Sequence, residues 1–157
     1  METRTITSID ELKELVNQET ALGEWVEVTQ DMVNAFADAT GDHQWIHVDV
    51  ERAKGSPFGG TIAHGYLTLS MSPLLMRGRQ GIQMKIPSRM GLNYGLNRVR
   101  FPAPVKVGKR VRMRTKLLSV EEVAPKVYQM INQQTVEIEG EEKPGMVAEH
   151  ITRTYLE

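Results

Sequence analysis

Thr61-Ile62-Ala63-His64-Gly65-Tyr66-Leu67-Thr68-Leu69-Ser70-Met71-Ser72-Pro73-Leu74-Leu75-Met76 contains no acidic residue, lysine or arginine. Read as a helix, it is apolar around most of its circumference, so it has to be surrounded by other elements and not merely docked by one face. The residues that follow supply those surroundings. After Gly91 the apolar period changes to two: Val111, Met113, Thr115 and Leu117 alternate with Arg112, Arg114 and Lys116, the pattern of a strand with one face in water. Val99 to Phe101, Val127 to Glu139 and Met146 to Tyr155 also read as strands, and Gly108, Pro125 and Glu139-Gly140-Glu141 supply turns. The C-terminal half is therefore expected to be an antiparallel meander that curves around the Thr61 helix, an α+β arrangement.

Upstream, Ser8-Ile9-Asp10-Glu11 has the form of a capping box, and Ile9, Leu12, Leu15 and Val16 predict an amphipathic helix to about Glu19. Trp25 to Val28 predicts a brief strand. Thr29 can cap a second helix whose Met32, Val33, Phe36 and Ala37 share a face, and Gly41 can end it in the left-handed conformation. Asp42 to Gly60, punctuated by Gly55, Pro57, Gly59 and Gly60, reads as a loop-rich stretch.

The 157 residues, 40% hydrophobic and 25% charged, fit a single domain over 1–157. Nineteen Lys and Arg against 20 Asp and Glu leave a formal net charge of -1, which gives no global field for nucleic acid or an anionic membrane. Neither is expected as a partner. With no cysteine, disulfides, thiolate nucleophiles and cysteine metal sites are excluded. The N-terminal residues lead into a charged amphipathic segment where a signal peptide would need an apolar run, so a cytoplasmic location is expected. The uncharged run from Ser56 to Met76 approaches membrane-spanning length, but its His64, glycines, prolines and hydroxyls suit a buried element of a soluble protein.

Chemistry concentrates in Gly41-Asp42-His43-Gln44-Trp45-Ile46-His47. On a helix, Asp42 and His47 would stand about 140° apart around the axis. They share a site only if the backbone turns, and Gly41 permits that turn. A carboxylate and an imidazole can then hold a water, take its proton and return one elsewhere, because histidine titrates near neutral pH. From spacing alone the plainer reading is a solvated carboxylate and a surface histidine. Ala63-His64-Gly65-Tyr66 adds context: the first amides of a helix have no intrahelical partner and sit at the positive end of its dipole. Glycine lets a ligand approach there, so the Gly65 N–H can serve as an oxyanion donor, although close helix-to-sheet packing would also call for glycine. The four histidines have no tight metal-ligand spacing, so no metal is expected, and with no Gly-rich phosphate loop or dinucleotide fingerprint no other cofactor is expected either. Lys54, Arg77, Arg79, Lys85 and Arg89 could meet phosphates, but each alone reads as solvated surface charge.

Phe36-Ala37-Asp38-Ala39-Thr40-Gly41-Asp42, Ile46-His47, Pro57-Phe58, Ala63-His64-Gly65 and Arg100-Phe101-Pro102-Ala103-Pro104-Val105-Lys106-Val107-Gly108 resemble, in order and spacing, the MaoC-like dehydratases, which include the R-specific enoyl-CoA hydratases. The likeness runs from about Thr29 to Tyr155. Within the family, Gly41-Asp42-His43-Gln44-Trp45-Ile46-His47 with Asn93-Tyr94-Gly95-Leu96-Asn97 downstream resembles the nodulation-protein-N-like branch and its mycobacterial hydratase relatives. The resemblance implies a hotdog fold, an antiparallel β-sheet wrapped around a long central α-helix. It also implies a homodimer that binds an acyl-CoA or acyl-carrier-protein thioester near the subunit interface. Asp42 and His47 match the catalytic pair, and Gly65 matches the oxyanion-hole glycine. Where the commoner pattern has Asn-Pro, this chain has Gln44-Trp45, which alters the shape near the substrate. Gln44, Trp45, Phe58, His64, Tyr66 and Asn93 are the candidate substrate-binding residues. The implied activity is hydration of trans-2-enoyl-CoA to (3R)-hydroxyacyl-CoA. Two alternatives are a hotdog thioesterase, which would release free thiol, and an acyl-thioester binder without catalysis, against which intact Asp42, His47 and Gly65 speak.

Overall fold

The computed structural model describes residues 1–157. In chain order the elements are β1 (Arg4–Ile6), α1 (Ile9–Lys13), β2 (Glu19–Leu22), β3 (Val26–Glu27), α2 (Gln30–Thr40), α3 (Trp45–Val48), α4 (Val50–Ala53), α5 (Gly65–Ser70), α6 (Ser72–Leu75), β4 (Gln80–Met84), β5 (Ser88–Arg100), β6 (Arg110–Ala124), β7 (Val127–Ile138) and β8 (Met146–Leu156). None of the helices is long and apolar enough to cross a membrane.

The strands form one sheet in the order β1-β4-β2-β6-β7-β8-β5, with β3 also pairing β6. The expected meander holds for β6, β7 and β8, which pair antiparallel in sequence. Two features depart from it. β1 joins β4 in parallel. β5, although it precedes β6, pairs with β8 at the far end of the sheet, so the chain must cross back between Phe101 and Lys109. That crossing runs beside the start of the central helix: Ala63 N–H donates to Val105 O at 2.8 Å, and Val107 N–H donates to Thr61 O at 3.0 Å.

Those bonds explain why the helix is shorter than its apolar run. Thr61 to Ala63 are held against the crossing, Ile62 forms a bridge with Lys106, and the helical turns begin at Gly65. Met71 keeps right-handed helical angles between α5 and α6, so Gly65–Leu75 acts as one rod. Leu67, Met71 and Leu75 are buried with Val111, Met113, Val136, Met146 and Ala148 of the sheet. Fully burying a side chain such as Leu75 stabilises the fold by about 1.5–3 kcal/mol. The rod is not surrounded on every side: Tyr66, Ser70 and Pro73, about one turn apart, are exposed.

α1 ends at Lys13, short of the predicted Glu19. Its capping box is present as predicted. Asn17 and Gln18, however, are drawn to the sheet: Asn17 N–H donates to Leu117 O at 2.7 Å, and Leu117 N–H returns a bond to Gln18 O at 3.1 Å. Glu19–Leu22 then pairs with β6 as β2. Gly41 ends α2 at φ +81°, as predicted.

Candidate active site

The turn at Gly41 reverses the chain so that Asp42 and His47, which a continuous helix would hold apart, converge. α3 begins after Gln44 and carries His47 inward, where the side chain is buried, while Asp42 stays exposed. His47 Nδ1 lies 2.7 Å from the main-chain oxygen of Ile62. A carbonyl can only accept, so Nδ1 carries a proton, and Nε2 is the nitrogen left free of that bond. His64 follows the same logic: Nε2 donates to the Asp42 main-chain oxygen at 2.9 Å, leaving Nδ1 buried and unpaired. The two imidazoles stack with centroids 3.9 Å apart and planes 22° from parallel, and Phe36 tilts onto His64 at 5.0 Å.

An oxygen of the Asp42 carboxylate and ring nitrogens of His47 and His64 all lie within 4.8 Å of one another. Chain spacing gave no sign of this gathering, because His64 arrives from another element.

Gln30 is a residue that sequence reasoning missed. Its Nε2 donates to His47 O at 2.8 Å, and its Oε1 accepts from Thr61 Oγ1 at 2.6 Å, tying α3 to the segment that leads into α5. At the first position of α2 it reads as one more solvated polar residue, and only the fold reveals its partners.

Gly65 opens α5. No side chain caps that end, and the Gly65 amide is not a donor in any of the chain's backbone hydrogen bonds. A Cβ at this position would stand 2.9 Å from Phe101 Cδ2, so the ring lies directly over the glycine. His47 and Gly65 line one cavity of about 290 Å³ together with Thr68, Phe101 and Val105.

The other sequence candidates fall in several places. His64 is within the cluster. Gln44 contributes its main-chain N–H to Asp42 Oδ1 at 3.3 Å, with its side chain exposed. Trp45 is covered by the Arg52 guanidinium, 4.2 Å from the ring centroid. Phe58 is half-buried and lines neither the His47 cavity nor the one at Asn93. Tyr66 is 71% exposed, with its ring edge toward Phe101. Asn93 bonds His150 Nε2 at 2.9 Å in a separate cavity. His43 pairs with Asp38 at the surface, and that hydrogen bond raises its pKa above the ordinary imidazole value.

A mostly antiparallel sheet packed over the Gly65–Leu75 rod is the hotdog fold, and the (R)-hydratase from A. caviae shares it, with a TM-score of 0.68 at 21% identity over 87% of this chain and 94% of that one. The MaoC like domain model matches residues 11–139, and the chain belongs to that family of dehydratases and hydratases, which are hydro-lyases. It is similar to 3-hydroxyacyl-thioester dehydratase Z of Mycobacterium tuberculosis, at 48% identity over 96% of this chain and 97% of that protein. It is also similar to Nodulation protein N of Rhizobium leguminosarum, at 46% identity over 92% of this chain and 89% of that protein.

Proposed function

We propose that this protein adds water reversibly to a trans-2-enoyl thioester, carried on CoA or an acyl carrier protein, to give the (3R)-hydroxyacyl thioester. The observation that carries the reading is His47. Its Nδ1–H is committed to the Ile62 carbonyl, which leaves Nε2 as the nitrogen that can exchange a proton, and His47 lines one cavity with Gly65, whose amide has no backbone acceptor. The 48% identity to a protein named for 3-hydroxyacyl-thioester dehydration supports the substrate class, and the (3R) product follows from the family resemblance.

In the hydration direction, the thioester oxygen accepts a hydrogen bond from Gly65 N–H, and a water sits between His47 Nε2 and the Asp42 carboxylate. Those two groups take the water proton as its oxygen forms a bond to the β carbon. The electron pair of the C=C bond moves onto the thioester as an enolate stabilised by the Gly65 amide. The proton held by the pair is then delivered to the α carbon as the carbonyl re-forms. Dehydration is the same sequence reversed. His64, bonded to the Asp42 main chain and stacked on His47, keeps the two groups in register.

The test follows loss of the enoyl-thioester absorbance on crotonyl-CoA, with chiral analysis of the product and thiol titration in parallel. Asp42→Asn and His47→Ala should each lower kcat by about 10²–10⁴-fold, the range for a positioned acid or base, with the circular dichroism spectrum unchanged. Near-normal turnover in both variants would sink the assignment, and thiol release would point to a thioesterase.

We further infer a homodimer formed through β5. This strand ends the sheet and exposes Met90, Leu92, Tyr94 and Leu96, and Tyr66 of the rod is exposed as well. An unpaired sheet edge with exposed apolar residues is a feature that a second chain covers.

A further inference from the structure

The acid/base pair and the oxyanion donor come from two separate segments: Asp42 and His47 from the turn and α3, Gly65 from the start of α5. One substrate can meet both only if the segments keep a fixed register, because a reacting group misplaced by about 1 Å costs about 10²-fold in rate. α3 cannot supply that register by itself. It has four residues, no side chain caps its start, and the last carbonyls of a helix have no intrahelical partner.

Gln30 meets this need from a third element. It is the first residue of α2, which Val33 and Ala37, both fully buried, anchor in the protein interior. Its Nε2 donates to His47 O at 2.8 Å and to Asn34 Oδ1 at 2.9 Å, and its Oε1 accepts from the buried Thr61 hydroxyl at 2.6 Å. A main-chain oxygen can only accept, so the amide nitrogen has to face His47 and the amide has one orientation. The same two segments meet again beside it: His47 Nδ1–H donates to Ile62 O at 2.7 Å, and Ile62 N–H donates to Ile46 O at 3.0 Å. Gln30 therefore closes a circuit that runs from the His47 main chain through its ring to Ile62 and back by way of Thr61. Both ends of the Nδ1–H bond are held by it, the His47 backbone directly and Ile62 through its neighbour.

We propose that Gln30 is a positioning residue for the hydration reaction: by joining the His47 main chain to Thr61 it fixes where His47 Nε2 stands relative to the Gly65 amide. It acts through His47 and not on the substrate. The inference rests on the hydratase reading and adds to it a residue from outside the 41–47 and 63–65 motifs.

The experiment measures kcat and KM for hydration of crotonyl-CoA, with circular dichroism and Tm for each variant and every rate taken well below the lowest Tm. Gln30→Met keeps the length of the side chain and removes the clamp. Gln30→Glu keeps the acceptor for Thr61 but turns an oxygen toward the His47 carbonyl. Each should lower kcat by about 10- to 100-fold, with KM within about twofold of the wild type. Thr61→Val, close in shape, cuts only the second bond and should lower kcat by a smaller factor, and Thr61→Ser, which keeps the hydroxyl, should retain it. Because one clamp is broken in both, Gln30→Met with Thr61→Val should be no slower than Gln30→Met alone. A merely structural role would lower Tm and leave kcat of the folded protein unmoved. Wild-type hydration with kcat unchanged in Gln30→Met and Gln30→Glu, or with a change in KM alone, overturns this inference and spares the hydratase reading. If neither Gln30 variant folds, the Thr61 pair decides, and equal kcat in Thr61→Val and the wild type overturns it. No hydration by the wild-type protein overturns both.

Discussion

Gly65 meets two demands at once: its amide lies free at the start of α5, and its missing side chain makes room for the Phe101 ring. Alanine would keep the N–H but place a Cβ 2.9 Å from Phe101 Cδ2. Gly65→Ala is therefore expected to lower kcat/KM by about 10²-fold, the effect of displacing one oxyanion donor, and Gly65→Ala with Phe101→Ala should recover part of the loss. Wild-type turnover by the single variant would show that the close approach has no bearing on the reaction. His150 makes a different prediction. Burial places its folded-state pKa below the ordinary 6.5, so near and below that value the unfolded chain binds more protons than the folded one. Its contribution to stability is present above pH 6.5 and is lost as pH falls toward the folded pKa. The exposed His43, raised by its hydrogen bond to Asp38, acts in the opposite sense: its contribution is present at low pH and lost as pH rises through the raised value. Urea midpoints measured between about pH 7 and pH 5 should fall less on acidification in His150→Phe than in the wild type. Equal falls would remove His150 as the cause.

At the scale of elements, the parts that were legible in the sequence are those whose causes are local. The Ser8 capping box, the Thr29 cap, the Gly41 stop and the alternation in β6 each depend on residues within a few positions of one another. Gly41 offers the cleanest test, because a Cβ there would meet nothing within 4 Å, so the cost of Gly41→Ala is purely that of holding φ at +81°. The substitution should destabilise the protein by about 1 kcal/mol and lower Tm by roughly 2–4 °C. An unchanged Tm in a calorimetric scan would mean that the turn has relaxed. What stayed hidden has distant causes. α1 stops early because Asn17 and Gln18 bond Leu117, and the central helix starts late because Thr61 and Ala63 bond the crossing at Val105 and Val107. The site divides in the same way. The approach of Asp42 to His47 follows from one glycine turn, whereas His64 on His47 and Gln30 on Thr61 join residues from separate elements. No periodicity encodes such contacts.

For the whole molecule, the arrangement of strands decides what is left open. Because β5 pairs only with β8, its outer edge has no neighbour, and the exposed stripe Tyr66, Ser70 and Pro73 leaves one flank of the central rod uncovered. Both features contradict the simple picture of a helix enclosed by one chain's sheet, and both are resolved if a second copy closes the flank. The Asn93-Leu96 segment then serves two ends: its side chains help frame the separate cavity at Asn93, and its strand forms the contact. Light scattering should return a mass about twice the 17.7 kDa of one chain. Leu92→Lys with Leu96→Lys places two cations on this edge, a device that blocks strand pairing, and should shift the protein to monomer. If the reaction needs the second chain, the monomer should lose kcat/KM on crotonyl-CoA. A monomeric wild type would separate β5 from assembly altogether, and a monomeric variant with unaltered kcat/KM would show that each chain completes its own site.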